Sequence, residues 1–329
     1  MILDGHRPES IAAAAETLAA GRLIGLPTET VYGLAGDAGQ DRAVRAIFDL
    51  KGRPSDHPLI VHVRDAQAAL AWAETPPPFA ARLMQACWPG PLTLILSRRA
   101  GVGAAAAGGQ ASIGLRCPSH PVARAVLDAC AVRGVDGVAA PSANRFGRVS
   151  PTTAAHVRAE FGDELLVLDG GPCEVGVEST IVDCTRGRPV LLRPGRIDRT
   201  RIESVSGLSL MGRDQVEGPT PKASGTLEAH YAPQARLRLM DGAALQTALD
   251  LLGPRASGLA VWSRQALRSP SARVHLRRMP EDAQAVEQQL FSVLRGFDDL
   301  GVALIWVEMP PGDGAWEAVR DRLGRAAAA

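Results

Sequence analysis

The sequence has no long apolar run, few aromatic residues and almost no lysine. No segment approaches the roughly 18 uninterrupted apolar residues of a membrane span, which excludes a transmembrane helix. The first residues, Met-Ile-Leu-Asp-Gly-His-Arg, place charge where a signal peptide needs its apolar core, so no export signal is expected. The five cysteines (Cys87, Cys117, Cys130, Cys173 and Cys184) are odd in number and form no C-x-x-C pair. That argues against a zinc site or a disulfide framework and for a reducing cytoplasm. Aromatic residues are 4% and the formal net charge is +1, a poor match to a protein that stacks bases along a basic groove. Lys51 and Lys222 are the only lysines, so 34 of the 36 basic residues are arginine. A GC-rich genome accounts for that bias.

What is present is the balance of a folded protein, 46% apolar and 22% charged. At roughly 100–200 residues per domain, 329 residues predict two domains. The N-terminal part alternates helical and extended patterns. Helices are expected over 8–20, 41–50, 65–74, 122–131 and 153–161. Strands are expected at 23–26, 59–63, 92–96, 113–115, 138–140, 165–168, 180–182 and 190–192. Pro76-Pro77-Pro78 reads as a rigid break, and the Gly/Ala stretch 101–109 as a flexible loop. The apolar period fails between 206 and 233, which reads as a linker. Beyond it, strands at 237–240, 259–262, 274–276 and 302–307 and helices at 243–252, 281–300 and 315–323 predict a small α/β domain with a largely parallel sheet. The expected division is 1–205, 206–233 and 234–329. No internal repeat is evident.

Several polar clusters fall at the ends of these strands, where open α/β sheets bind ligands. Thr28 and Thr30 follow the strand ending at Leu26, and read either as substrate contacts or as local caps of a polar turn. Lys51 and Arg53 lie between a helix and a strand, and suit phosphate or carboxylate. The alternative is a solvated basic helix end. No G-x-x-x-x-G-K string surrounds them, so this is not a Walker A loop. His62 sits in an apolar run and reads first as a core residue. Arg116 and Arg193 each end a strand, as carboxylate clamps or surface ion pairs. Ser142 and Asn144 lie in a small-residue turn that admits close approach to the backbone, but no G-x-S-x-G elbow marks a hydrolase nucleophile.

Eight strings then occur in order. They are P-T-E-T-V-Y-G-L from Pro27, K-G-R-P from Lys51, P-L-I-V-H from Pro58, P-G-P-L-T from Pro89, A-P-S-A-N from Ala140, D-G-G-P from Asp169, G-V-E-S-T-I from Gly176 and L-L-R-P-G from Leu191. Together they resemble the YrdC-like family, and in particular its two-domain threonylcarbamoyl-adenylate synthases. The likeness covers roughly residues 20–196. H-Y-A-P from His230 is similar to the hinge before that family's second domain.

The resemblance implies an N-terminal twisted open α/β sheet with a concave basic pocket, and a smaller Rossmann-like C-terminal domain. It implies synthesis of L-threonylcarbamoyl-AMP and pyrophosphate from L-threonine, bicarbonate or CO2, and ATP. Mg2+ would be carried mainly by the nucleotide phosphates. The product would pass to a tRNA threonylcarbamoyl transferase that modifies adenosine 37, with direct tRNA contact left open, in the cytoplasm and away from membranes. By similarity, threonine contacts fall on Thr28, His62, Arg116, Ala140 (through its backbone) and Ser179. Nucleotide contacts fall on Arg53, His57, Ser112, Ser142, Asn144, Ser150, Arg193 and Tyr231. Lys51 and Arg53 carry the catalytic assignment.

The string departs from the family at 223–229, where the first proline, the methionine and the first tyrosine of S-P-G-M-x-Y-x-H-Y-A-P are missing. His57 stands where relatives often carry asparagine. Two other readings compete with the synthase. One is an RNA-binding module without synthase activity, since related single-domain proteins have a basic concavity. The other is carbamoyl transfer in metal-centre maturation, which would need further domains and zinc-binding cysteines.

Overall fold

A computed structural model describes residues 1–329. They form two compact units. Residues 1–146 and 150–226 make the first, and residues 147–149 and 227–329 the second. The expected linker 206–233 is thus divided, with everything through Thr226 folded into the first unit.

The first unit runs β1 (Ile2–Asp4), α1 (Pro8–Ala19), β2 (Ile24–Leu26), β3 (Gly33–Asp37), α2 (Asp41–Lys51), β4 (Ile60–His62), α3 (Ala66–Ala69), α4 (Pro78–Cys87), β5 (Leu92–Ser97) and β6 (Ser112–Arg116). It continues through α5 (Pro121–Ala131), β7 (Val138–Ala139), α6 (Ala154–Phe161), β8 (Leu166–Asp169), β9 (Thr180–Asp183), β10 (Val190–Arg193), α7 (Arg199–Ser206) and β11 (Met211–Gly212). The strands pair in the order β1-β8-β2-β3-β7-β4-β6-β5-β9-β10-β11, with parallel and antiparallel neighbours mixed.

Two apolar layers build the core of this unit. In one, α1 and α5 pack Leu18, Val126 and Leu127 onto Ile24, Leu26 and Leu168. In the other, α2 and α4 bring Val44, Ile47, Phe48 and Leu83 to Leu59, Val61, Leu94 and Leu115. A third, smaller cluster has no helix over it. Ile60, Ile95, Ile181, Val190 and Leu192 are covered instead by Met211, Val216 and Ala223. Met211 belongs to β11, the edge strand of the sheet, and the stretch 213–226 after it acts as a cover.

Several expectations change. The helix expected over 65–74 is only one turn, α3. The proline break does stop the chain, but Pro78 also starts α4, because its missing N–H costs nothing at a first helical position. The stretch 101–109 is not a free loop. Ala106 and Ala107 are fully buried, and the Ala106 carbonyl accepts the Leu59 N–H at 2.7 Å. Helix α7 and strands β1, β3 and β11 carry too few apolar residues, or too much glycine, for a periodic signal.

In the second unit, β12 (Arg236–Met240), β13 (Leu259–Ser263), β14 (Val274–Arg278) and β15 (Leu304–Glu308) form a wholly parallel sheet in the order β12-β15-β13-β14. Its helices are α8 (Gly242–Leu252), α9 (Ala283–Asp299) and α10 (Glu317–Ala327). Asp282 caps α9 by accepting the Ala285 N–H, and Val286, Leu290, Val293, Leu294 and Phe297 make its buried stripe. No helix of the chain is long and apolar enough to cross a membrane.

Helix α2 shows how the first unit places a functional group. Its buried stripe is Val44, Ile47, Phe48 and Lys51, spaced at three and four residues. The lysine thus extends the apolar face instead of the solvent face. Gly52 follows at φ 63°, a left-handed cap that turns the chain so that Arg53 donates its N–H to Phe48. Truncating this stripe has a defined cost. Ile47→Ala is expected to lower unfolding free energy by about 2–5 kcal/mol, against about 0.5 kcal/mol or less for exposed Arg45→Ala. Urea titration of the two variants checks this, and equal losses would show that the stripe does not anchor α2.

Candidate active site

Parallel strands β4 and β6 end side by side, with His62 opposite Arg116 in register. Antiparallel β7 flanks β4 on its other side, and the Ala140 N–H donates to the Ile60 carbonyl at 3.1 Å. Across from them runs the turn between β2 and β3. Arg116 Nη1 donates to Thr30 Oγ1 at 2.8 Å, and Thr30 Oγ1 lies 2.9 Å from Thr28 Oγ1. Thr28 Oγ1 donates in turn to the Val31 carbonyl at 2.6 Å. Arg116 Nη2 lies 2.7 Å from Glu29 Oε1, and both side chains are about 5% exposed or less. Burial alone would raise the Glu29 pKa, but the Arg116 charge and nearby amide groups outweigh it and hold the carboxylate below its usual range. His62 is buried beside the Arg116 cation, and both effects push its pKa down to about 3. The ring is neutral at physiological pH.

Lys51 enters from the end of α2. Its Nζ donates to the carbonyls of Ser142 and Asn144, both at 2.5 Å. Burial, then the neighbouring Arg53 charge, pushes its pKa well below the ordinary lysine value, while Glu160 and Glu178 oppose the shift. Ser150 donates to Glu178 Oε1 at 2.5 Å. So Lys51, Ser142, Asn144, Ser150 and Glu178 share one neighbourhood.

The second pair of cations lies under the cover segment. A register shift between Leu191 and Arg193, the mark of a β-bulge, skips Leu192 and sets Arg193 opposite Ile181 in the β9–β10 ladder. Its guanidinium donates to the Ser179 carbonyl at 3.0 Å, to Ser179 Oγ at 3.1 Å and to the Ser224 carbonyl at 2.9 Å. Ser179 Oγ also pairs with Thr93 Oγ1 at 2.8 Å. Gly195 must be glycine here, since a Cβ would lie 2.6 Å from the Thr180 nitrogen. Arg53 donates to the Pro58 carbonyl at 2.9 Å and to Ser224 Oγ at 3.2 Å, and its guanidinium sits 5.6 Å from the Phe146 ring centroid. His57 meets the same ring edge-on at 5.6 Å.

The cover is fastened by a Lys222–Asp56 ion pair at 2.6 Å and by paired Gln110–Lys222 hydrogen bonds. Ser112 lines the pocket beneath it with Ile60, Ile95 and Ile181. That pocket has about 10 Å³, the room of one water, and Ala223 and Ser224 wall its covered side.

Of the residues singled out from the sequence, only Tyr231 lies outside the first unit. It is buried in the second, at φ 63°, with its ring 5.4 Å from Phe291 and 5.4 Å from the Arg322 guanidinium carbon. Sequence reasoning missed Glu29, Thr93, Glu178 and Ser224. Glu29 and Glu178 could have been noticed as charges inside buried, motif-bearing turns. Ser224 could have been noticed as a hydroxyl where relatives carry proline.

Comparison with known proteins bears on this arrangement. Residues 16–195 match the family model described as telomere recombination, and residues 197–328 match that of the threonylcarbamoyl-AMP synthase C-terminal domain. The chain is 36% identical to a threonylcarbamoyl-AMP synthase of Bacillus subtilis, over 96% of this chain and 92% of that protein. It belongs to the threonylcarbamoyl-AMP synthase family. Another relative, the synthase of Pyrococcus abyssi, is 34% identical over 95% of this chain and 92% of its own length. The crystal structure of P. abyssi Sua5 complexed with L-threonine superposes with a TM-score of 0.88 at 32% identity, over 99% of this chain and 97% of that one. The family's two-domain α/β architecture is the one found here.

The buried imidazole makes stability pH-dependent. A histidine whose folded pKa is depressed is protonated first in the unfolded chain, so its contribution is intact above the unfolded value of 6.5 and is lost as pH falls toward 3. Between pH 7 and pH 5 the wild type is expected to lose about 2 kcal/mol more than His62→Gln. Urea unfolding at the two pH values measures this, and parallel losses would rule out a buried neutral His62.

Proposed function

We propose that this chain is a threonylcarbamoyl-AMP synthase. It joins L-threonine, bicarbonate or CO2, and ATP, and releases L-threonylcarbamoyl-AMP and pyrophosphate. The observation that carries the reading is the burial of Lys51, Arg53, Arg116 and Arg193 in one unit of a chain whose full-length relatives are such synthases. The product is destined for adenosine 37 of tRNA through a separate transferase. The cytoplasm is the compartment that suits five free, buried cysteines.

The chemistry needs three negative groups brought together. The amino-acid carboxylate, the carbamate formed on its nitrogen and the ATP triphosphate repel one another in water. A site of buried guanidinium and ammonium groups offsets that repulsion and positions the carbamate oxygen for attack on the α-phosphorus. In this reading Arg116, with Thr28, His62, the Ala140 backbone and Ser179, holds threonine. Arg53, Ser112, Ser142, Asn144, Ser150 and Arg193 hold the nucleotide, with His57 beside Arg53. Tyr231 is assigned to the nucleotide by motif alone.

Lys51 neutralises phosphate or carbamate. Its depressed pKa would rise again once an anion joins the two carbonyls that it already touches. The neutral His62 can accept or donate one hydrogen bond without adding charge. No covalent protein nucleophile is required. Mg2+ is assigned to the phosphates and water rather than to a protein cage, the usual mode for a cation that dehydrates reluctantly. A water-free pocket protects the labile carbamate, and the cover at 222–226 fits that need. The same segment must yield to admit the nucleotide, because Ser224 occupies both arginines. The RNA-binding alternative is not favoured.

Purified protein given ATP and Mg2+ is expected to release pyrophosphate only when L-threonine and bicarbonate are both present, with the adenylate found by mass. Lys51→Ala and Arg53→Ala should each lower turnover by about 100-fold or more with unchanged circular dichroism. Release without threonine, or full turnover in either variant, would remove the assignment.

A further inference from the structure

We infer that Thr93 is a positioning residue that makes the Ser179 hydroxyl a hydrogen-bond donor to the amino-acid carboxylate. The inference rests on the reading of Ser179 as a threonine contact.

The sheet sets Thr93 in place without help from its hydroxyl. Strand β5 runs antiparallel to β6 and parallel to β9, with Thr93 opposite Ile181. The starts of β5 and β9 therefore lie at the sheet end where β4 and β6 finish. Ser179, one residue before β9, stands at the same end as His62 and Arg116, which close β4 and β6. Only β5 runs between β6 and β9. Arg193 Nε donates to the Ser179 carbonyl at 3.0 Å, so the Ser179 backbone is held as well. What Thr93 controls is the Ser179 hydroxyl.

The hydrogen bonds fix its direction. Thr93 is fully buried and Ser179 is 1% exposed. Their hydroxyl oxygens lie 2.8 Å apart, and Thr93 Oγ1 has Ser179 as its one hydrogen-bond partner. If Ser179 gave its proton to Thr93, the Thr93 proton would be buried without an acceptor, which is costly. Thr93 therefore donates. Ser179 Oγ also accepts from Arg193 Nη2 at 3.1 Å. A hydroxyl has two acceptor lone pairs and one proton. Both lone pairs of Ser179 are thus used, and its proton goes to no protein group. The ligand atom that meets Ser179 must then be an acceptor. The strongest acceptor of free L-threonine is its carboxylate, and its ammonium group, a donor, is excluded from that position. The Arg193 charge beside the same hydroxyl favours an anionic oxygen there.

The test uses the full chain, with calorimetric binding of L-threonine and initial rates of pyrophosphate release. Thr93→Val removes the hydroxyl and keeps the branched shape and the strand preference. It is expected to raise the Kd and KM for L-threonine by about fivefold or more, with the ATP KM within about twofold of wild type. Ser179→Ala should raise the threonine values by about tenfold or more. The double variant should bind threonine no more weakly than Ser179→Ala alone, since Thr93 acts only through that hydroxyl. Thr93→Ser, which restores the donor, should bind within about twofold of wild type. Thr93→Ala carries the same comparison if the valine variant does not fold. Unchanged threonine affinity without the Thr93 hydroxyl, additive losses in the double variant, or threonine and ATP KM values rising together would overturn the inference alone. A wild-type protein that binds no threonine would instead remove the reading of Ser179, and the inference with it.

Discussion

The first unit is governed by the cost of burying cations. Lys51, Arg53, Arg116 and Arg193 are each less than a tenth exposed. An isolated charge in such a place is penalised by several kcal/mol even after the protein relaxes. The chain offsets this with oxygen atoms from sequence-distant turns: the carbonyls of Pro58, Ser142, Asn144, Ser179 and Ser224, the hydroxyl of Thr30 and the carboxylate of Glu29. Apart from the one that carries Ser224, those turns lie in the motif strings. Their spacing along the chain follows from which loops must converge on which cation.

The fold delivers the charges by ordinary means. An apolar helix stripe carries Lys51 inward, and a left-handed glycine then releases Arg53. Two parallel strands end together to set His62 beside Arg116. A bulge at Leu192 sets Arg193 opposite Ile181. The sheet face formed by Ile60, Ile95, Ile181 and Val190 is covered by Val216 and Ala223 of the segment after β11 rather than by an α-helix. A helix there would be fixed by its whole buried stripe. The segment here is held by Val216, Ala223 and Ser224, the Gln110–Lys222 hydrogen bonds and one exposed ion pair, none of them part of a continuous stripe. The reaction needs both properties, exclusion of water during chemistry and admission of a large anionic substrate.

Much of this was legible from the residues. Helices with a clear stripe, such as α2, α5 and α9, and strands with continuous apolar runs, such as β5 and β13, announce themselves by period. The eight ordered strings hold Lys51, Arg53 and Arg193, three of the four buried cations, while Arg116 lies outside them. What remained hidden has physical causes. Strand β3 reads Gly-Leu-Ala-Gly-Asp, and its small residues give no strand signal. Ala106 and Ala107 look like filler but are buried by contacts distant in sequence. The burial of Lys51 could have been inferred from its place in the Val44, Ile47, Phe48 stripe. The pairing of Glu29 with Arg116 could not, because the two are brought together only by the sheet. The cover over Ile60 and Ile181 was also invisible, since a segment without apolar period reads as a linker.

If buried cations are the organising constraint, the anionic substrates complete their neutralisation, and their binding should be felt where those cations lie. Hydrogen–deuterium exchange of the full chain, with and without ATP, Mg2+ and L-threonine, tests this most directly. The expected result is slower exchange over 28–34, 51–63, 112–117, 139–146 and 176–195, the segments that carry the cations and their oxygen partners. Ligand-induced protection confined to residues 234–329, or none despite saturating ligand, would contradict the account.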